Sequence, residues 1–171
     1  HDSQSGGGKN QGSVLLFTFT DNQFTGGQVR SIIGLDWDNS YNSGANPRDG
    51  RDFNLANLEN TDRFGDNLAL DFDPTLGDPG DLGVHRLAVV AHQDDGEDDS
   101  DANNGAVYLF TFTNDDFSGI ALDTVLGSGY SAGDEFDSYN GGSGVTHVDL
   151  ELDQTHSLSS VALDGGYMAL G

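Results

Sequence analysis

The chain has 171 residues, 29 of them acidic and 6 basic, for a formal charge of −23. That balance excludes nucleic acid and anionic membrane surfaces, which would be repelled, and favours cations, which would relieve the self-repulsion of a compact acidic chain. With no cysteine there is no disulfide, thiolate metal site or cysteine nucleophile, and no apolar run nears the ~18 residues of a membrane span.

The chain opens at His1 without a secretory leader, so it is expected to be a processed product or a piece of something longer. Strand signals dominate, as short runs of Val, Ile, Leu, Phe and Thr bounded by Gly, Asp and Asn. Residues 13–20 and 28–34 read as two strands, followed by an aromatic-bearing loop, Asp36-Trp-Asp-Asn-Ser-Tyr-Asn-Ser-Gly44. The best helical candidate, Asn54-Leu-Ala-Asn-Leu-Glu-Asn60, amounts to about two turns.

Four strands then succeed one another: Asn67–Phe72, His85–Ala91, Ala106–Phe112 and Ile120–Leu126. They predict one four-stranded antiparallel meander, with the second and third strands apolar on both faces as inner strands of a covered sheet should be. These dense β-type runs also exclude a disordered chain. A second aromatic loop, Glu135-Phe-Asp-Ser-Tyr-Asn-Gly-Gly142, precedes two last strands, Ser157–Asp164 and Tyr167–Gly171.

Those elements repeat. Gly12-Ser-Val-Leu-Leu-Phe-Thr-Phe-Thr20 returns 93 residues later as Gly105-Ala-Val-Tyr-Leu-Phe-Thr-Phe-Thr113, without a gap as far as Gly34 and Gly127. Val161-Ala-Leu-Asp164 matches Leu68-Ala-Leu-Asp71, and the strand after it matches the second strand. Residues 64–127 therefore form one complete module. Residues 1–63 carry its strands three and four plus a linker loop, and residues 128–171 a linker loop plus its strands one and two.

Phe64-Gly65, Leu68-Ala-Leu-Asp71, Arg86-Leu-Ala-Val-Val-Ala91, an acidic glycine loop and Gly105-Ala-Val-Tyr-Leu-Phe110 resemble the FG-GAP (integrin-alpha-type) β-propeller repeat, in the long variant found in tandem in large bacterial surface proteins. Ala91-His92 stands where that family has Ala-Pro, and Ser157-Leu158 where it has Phe-Gly. The resemblance implies an all-β fold of β-propeller-like, four-stranded antiparallel blades in tandem, one complete blade flanked by two complementary half-blades. Two blades are too few to close a propeller, which needs 4–8.

It also implies Ca²⁺ in the hairpin between the first two strands, with Asp71, Asp73, Thr75, Asp78 and Asp81 as oxygen ligands. A second expected Ca²⁺ site follows from charge density alone. Asp94-Asp-Gly-Glu-Asp-Asp-Ser-Asp101 packs six acids into eight residues, making Asp94, Asp95, Asp98, Asp99 and Asp101 candidate ligands.

Enzyme readings find no support. No carboxylate pair stands out from the acidic background, no Gly-x-Ser-x-Gly elbow occurs, and His85, His92, His147 and His156 lack metal-ligand spacing. Trp37, Tyr41, Phe136 and Tyr139 read as repeated structural plugs in preference to a sugar platform. The expectation is a non-enzymatic, calcium-stabilised structural repeat protein, extracellular or at the cell surface. Its partners are further copies of itself, joined head to tail by strand complementation into a polymer. A closed integrin-like propeller binding a protein or glycan ligand is the alternative, and a propeller-based hydrolase or lyase comes third.

Overall fold

The computed structural model describes residues 11–35, 52–55, 58–59, 61–73, 83–96, 103–130, 145–152 and 157–171. Among them the apolar runs form strands and no helix. In chain order these are β1 (Ser13–Thr18), β2 (Gln28–Gly34), β3 (Phe53–Asn54), β4 (Phe64–Asp73), β5 (Val84–Ala91), β6 (Ala106–Phe112), β7 (Ala121–Gly127), β8 (Thr146–Asp149), β9 (Val161–Asp164) and β10 (Tyr167–Leu170). They make three open sheets, ordered β4-β5-β6-β7-β8, β1-β2-β3 and β10-β9.

The central sheet is the expected meander with one strand more. β4 to β7 are antiparallel, but β8 lies parallel to β7, pairing Leu126 with Val148 and Gly127 with Asp149. β3 pairs with β2 in the same way, Ile33 with Phe53 and Gly34 with Asn54. Four-stranded modules and a bare linker are thus corrected to sheets whose fourth strand carries a short parallel neighbour. Thr-His-Val-Asp has too few apolar residues to signal a strand, and a parallel partner can be reached only through a long crossover. Of the helical candidate over 54–60, residues 54, 55, 58 and 59 are described: Asn54 ends β3, and Leu55 and Leu58 are buried, with the Leu58 N–H donating to Leu55 C=O at 3.3 Å.

The internal repeat is geometric as well as sequential. β6 and β7 pair from Ala106↔Gly127 to Thr111↔Ala121, with an irregularity between Leu109 and Phe110. β1 and β2 pair from Ser13↔Gly34 to Thr18↔Gln28, with the irregularity at the equivalent place, between Leu16 and Phe17. The β9–β10 hairpin, Leu163↔Met168 and Asp164↔Tyr167, keeps the register of Leu70↔Leu87 and Asp71↔Arg86 in β4–β5. Even the connecting turns match: Asp21 Oδ1 accepts from the Gln23 and Thr25 N–H groups as Asn114 Oδ1 does from Asp116 and Ser118. Phe24 and Phe117 adopt φ of 61° and 59°.

The central sheet is covered on both faces. On one face Val14, Leu16 and Ile33 of the β1–β2 sheet pack with Leu87, Val89, Tyr108 and Phe110. On the other, Val161, Leu163, Met168 and Leu170 of the β9–β10 hairpin pack with Ala88, Val90 and Val107.

Two backbone junctions set this stacking. Phe64 N–H donates to Gln11 C=O at 2.9 Å, and Leu158 N–H donates to Asn104 C=O at 2.7 Å. Beside each lies a glycine of positive φ, Gly12 at 82° and Gly105 at 76°. A Cβ on Gly12 would fall 1.9 Å from Phe64 O, and one on Gly105 2.7 Å from Leu158 O. Leu158 therefore takes the place of Phe64, and both are buried.

Gly12→Ala and Gly105→Ala are each expected to lower unfolding free energy by about 2 kcal/mol or more, since backbone strain and a backbone clash act together. Gly165→Ala, at φ 56° but with nothing within 4 Å of the added Cβ, is expected to cost only about 1 kcal/mol. Urea denaturation of the three variants checks that order.

Candidate functional site

The β4–β5 hairpin was expected to hold a cation, and it does hold a positive charge of the chain's own. Asp71 and Asp73 lie on β4, opposite Arg86 of β5. The Arg86 guanidinium donates to Asp71 Oδ2 and to the Gly165 carbonyl, with Asp73 Oδ2 at 3.7 Å. These two carboxylates are thus partnered with a guanidinium whose fork suits carboxylates. Arg86 also ties the central sheet to the turn of the β9–β10 hairpin. Thr75, Asp78 and Asp81 lie outside the described residues, as do Asp98, Asp99, Asp101 and the aromatics Trp37, Tyr41, Phe136 and Tyr139.

Asp94 turns inward. Its carboxylate accepts Tyr108 Oη at 2.6 Å, Tyr130 Oη at 2.8 Å and the Gly96 N–H at 3.0 Å. Burial raises the Asp94 carboxyl above its ordinary range, with the tyrosine hydrogen bonds pulling the other way, and burial pushes both phenols well up. Asp95 Oδ1 accepts the Asn103 N–H at 2.6 Å. Asp71, Asp73, Asp94 and Asp95 thus all have protein partners, and among the described residues no three of His, Asp and Glu are grouped for a metal ion.

The described histidines, His85, His92 and His147, are packed or paired individually. His85 lies between Phe72 and Phe117 with tilted rings, at 4.8 and 5.3 Å, and with Nε2 3.3 Å from Asp115. His92 Nδ1 lies 3.3 Å from Leu158 O, and His147 lies beside Tyr130.

The feature that a function must explain is an imbalance of burial between equivalent residues. Tyr108, Phe110, Phe112 and Phe117 are 0, 1, 1 and 5 % exposed; their counterparts Leu15, Phe17, Phe19 and Phe24 are 45, 43, 44 and 75 % exposed. The Phe112–Phe117 and Phe19–Phe24 pairs keep the same edge-to-face contact, at 5.3 and 5.1 Å. Leu68, Leu70 and Phe72 form a second exposed apolar stripe, on β4. Among the described residues β1, β3, β4, β8, β9 and β10 each pair on one side only, and the edges of β1 and β10 lie beside bare apolar surface.

No family model, curated protein or solved structure matches the chain.

Sequence reasoning missed Arg86, Tyr108, Tyr130 and Asp62. Asp62 is buried near Asp94, and its carboxyl is pushed up to about 7 from 3.8, chiefly by burial and then by the Asp94 charge. A folded-state pKa above the unfolded one means that the native state holds a proton the unfolded state has released. Stability from Asp62 is therefore complete below about pH 4 and is lost as pH rises to about 7. The melting midpoint is expected to fall across that window. Asp62→Asn should remove part of the slope, leaving the fall of the same sign that Asp94 contributes, and melting curves of both proteins against pH check it.

Proposed function

We propose that the chain is a structural repeat protein of the extracellular space or cell surface, built of FG-GAP-type β-propeller blades. Its β1–β2 and β9–β10 sheets are complementary halves of a blade, and copies join head to tail by strand complementation. The observation that carries this reading is the equivalence of the two junctions, Gln11–Phe64 and Asn104–Leu158. The step from the first half-sheet to the complete sheet is the step from the complete sheet to the second half. A step that already occurs twice within one chain propagates when a further copy supplies the next half, and a head-to-tail contact of this kind is heterologous. The backbone groups of the free edges supply the join, as in other strand-addition assemblies. Four of the five strands of the central sheet make the antiparallel blade; the parallel β8 is an addition to the family's pattern.

Sedimentation and negative-stain imaging test the reading. Filaments are expected; discrete rings would favour a closed, ligand-binding propeller, and a monomer at the highest soluble concentration would overturn assembly.

Calcium enters this reading through the loop residues Thr75, Asp78, Asp81, Asp98, Asp99 and Asp101 and through the charge of −23. Replacing EDTA by excess Ca²⁺ is expected to raise the melting midpoint by several degrees. An unchanged midpoint would remove calcium from the proposal and leave the assembly standing.

A further inference from the structure

The internal repeat predicts how one copy seats on another, residue by residue. In the complete sheet β5 pairs with β6 as Arg86↔Thr111, Leu87↔Phe110, Ala88↔Leu109, Val89↔Tyr108 and Val90↔Val107. The hairpin registers equate Tyr167 with Arg86, Met168 with Leu87, Ala169 with Ala88 and Leu170 with Val89. The shared register of β1–β2 and β6–β7 equates Thr18 with Thr111, Phe17 with Phe110 and Leu15 with Tyr108. Neither β10 nor β1 has a strand on its open side among the described residues.

A groove runs beside the open edge of β10. It encloses about 350 Å³, with Leu109, Thr111 and Thr124 of the central sheet on its floor and Tyr167 and Met168 at its side. The floor belongs to the face on which β9–β10 packs, because Leu109 joins that apolar cluster. On the opposite face of the central sheet, Val14 and Leu16 of β1 cover Tyr108 and Phe110. Val14 and Leu16 are the equivalents of Val107 and Leu109. The repeat therefore says which side chains lie over Val107 and Leu109: the equivalents of Tyr108 and Phe110, namely Leu15 and Phe17, which the chain leaves exposed.

We propose that the β10 edge and its groove bind the β1–β2 sheet of a second copy of this chain. β10 pairs antiparallel with the partner copy's β1 as Tyr167↔Thr18, Met168↔Phe17, Ala169↔Leu16, Leu170↔Leu15 and Gly171↔Val14, and Leu15 and Phe17 close over the groove. The proposal rests on head-to-tail assembly and adds its register and its occupant. The same contact accounts for the stripe on β4. Leu68 and Leu70 are equivalent to Val161 and Leu163, which are packed, and in the joined pair the β9–β10 hairpin of the other copy lies over them. One-residue slippage would turn Leu15 and Phe17 out of the groove, because successive side chains point to opposite faces.

The chain has no cysteine, so introduced thiols report the register without background. Tyr167→Cys chains mixed with Thr18→Cys chains, and Met168→Cys chains mixed with Phe17→Cys chains, are oxidised mildly at high salt, where the acidic surfaces are screened. Adjacent antiparallel pairs alternate between wide and narrow spacing. At least one mixture is therefore expected to convert most of the protein to disulfide-linked dimer. Tyr167→Cys with Phe19→Cys, one residue out of register, is expected to give at least tenfold less. Phe17→Glu, at a position exposed in the single chain, is expected to keep its melting midpoint and lose association. Wild-type assembly without in-register cross-links, with preferred cross-linking one residue out, or undiminished by Phe17→Glu would overturn this contact and leave head-to-tail assembly standing. A wild-type chain that sediments as a monomer would overturn both.

Discussion

Two backbone approaches, Gly12 onto Phe64 and Gly105 onto Leu158, hold the layers of this molecule in place. At each, a strand-three entry and a strand-one entry from adjacent modules come within one hydrogen bond, closer than any side chain on the glycine would allow. Fixing the sheets at that point sets the offset between layers. The offset in turn decides that Val14 and Leu16 meet Tyr108 and Phe110 on one face, and that Val161 and Leu163 meet Ala88 and Val90 on the other. Interdigitation of this kind tolerates little displacement, so the packing of both core clusters follows from two short contacts between main chains.

The modules are alike in backbone but not in chemistry. Only the complete one places a tyrosine at position 108, where its hydroxyl and that of Tyr130 close on Asp94; the equivalent residue in the half-sheet is Leu15. A buried carboxylate is costly unless its oxygens are occupied, and here two phenols and an amide occupy them. This polar cluster anchors the start of the acidic loop to the core.

Much of the fold was legible because the repeat declares itself twice, in the 93-residue spacing of Leu-Phe-Thr-Phe and in the matched Ala-Leu-Asp segments. Apolar residues on both faces of the second and third strands also marked them as the inner strands of a covered sheet. The parallel strands β3 and β8 were not legible, being short and polar and paired only across long connections. Asp94 looked like one more loop carboxylate, since nothing local shows that a hydroxyl 14 residues away will reach it. Arg86 could have been found from the hairpin register, which sets it opposite Asp71, but the cation expected there was a metal ion, not a side chain.

The outermost strands bear on a hazard built into such a chain. Runs such as Val107-Tyr-Leu-Phe-Thr-Phe112 of the central sheet are the kind that stack indefinitely when a long apolar edge lies open. β8, the last strand of the central sheet, is four residues long and polar, and β4 at the other margin is broken by an irregularity between Phe64 and Asn67 and carries Asp66, Asp71 and Asp73. Neither margin makes a good template for a foreign strand. The central sheet is thereby shielded from amyloid-like growth at its margins.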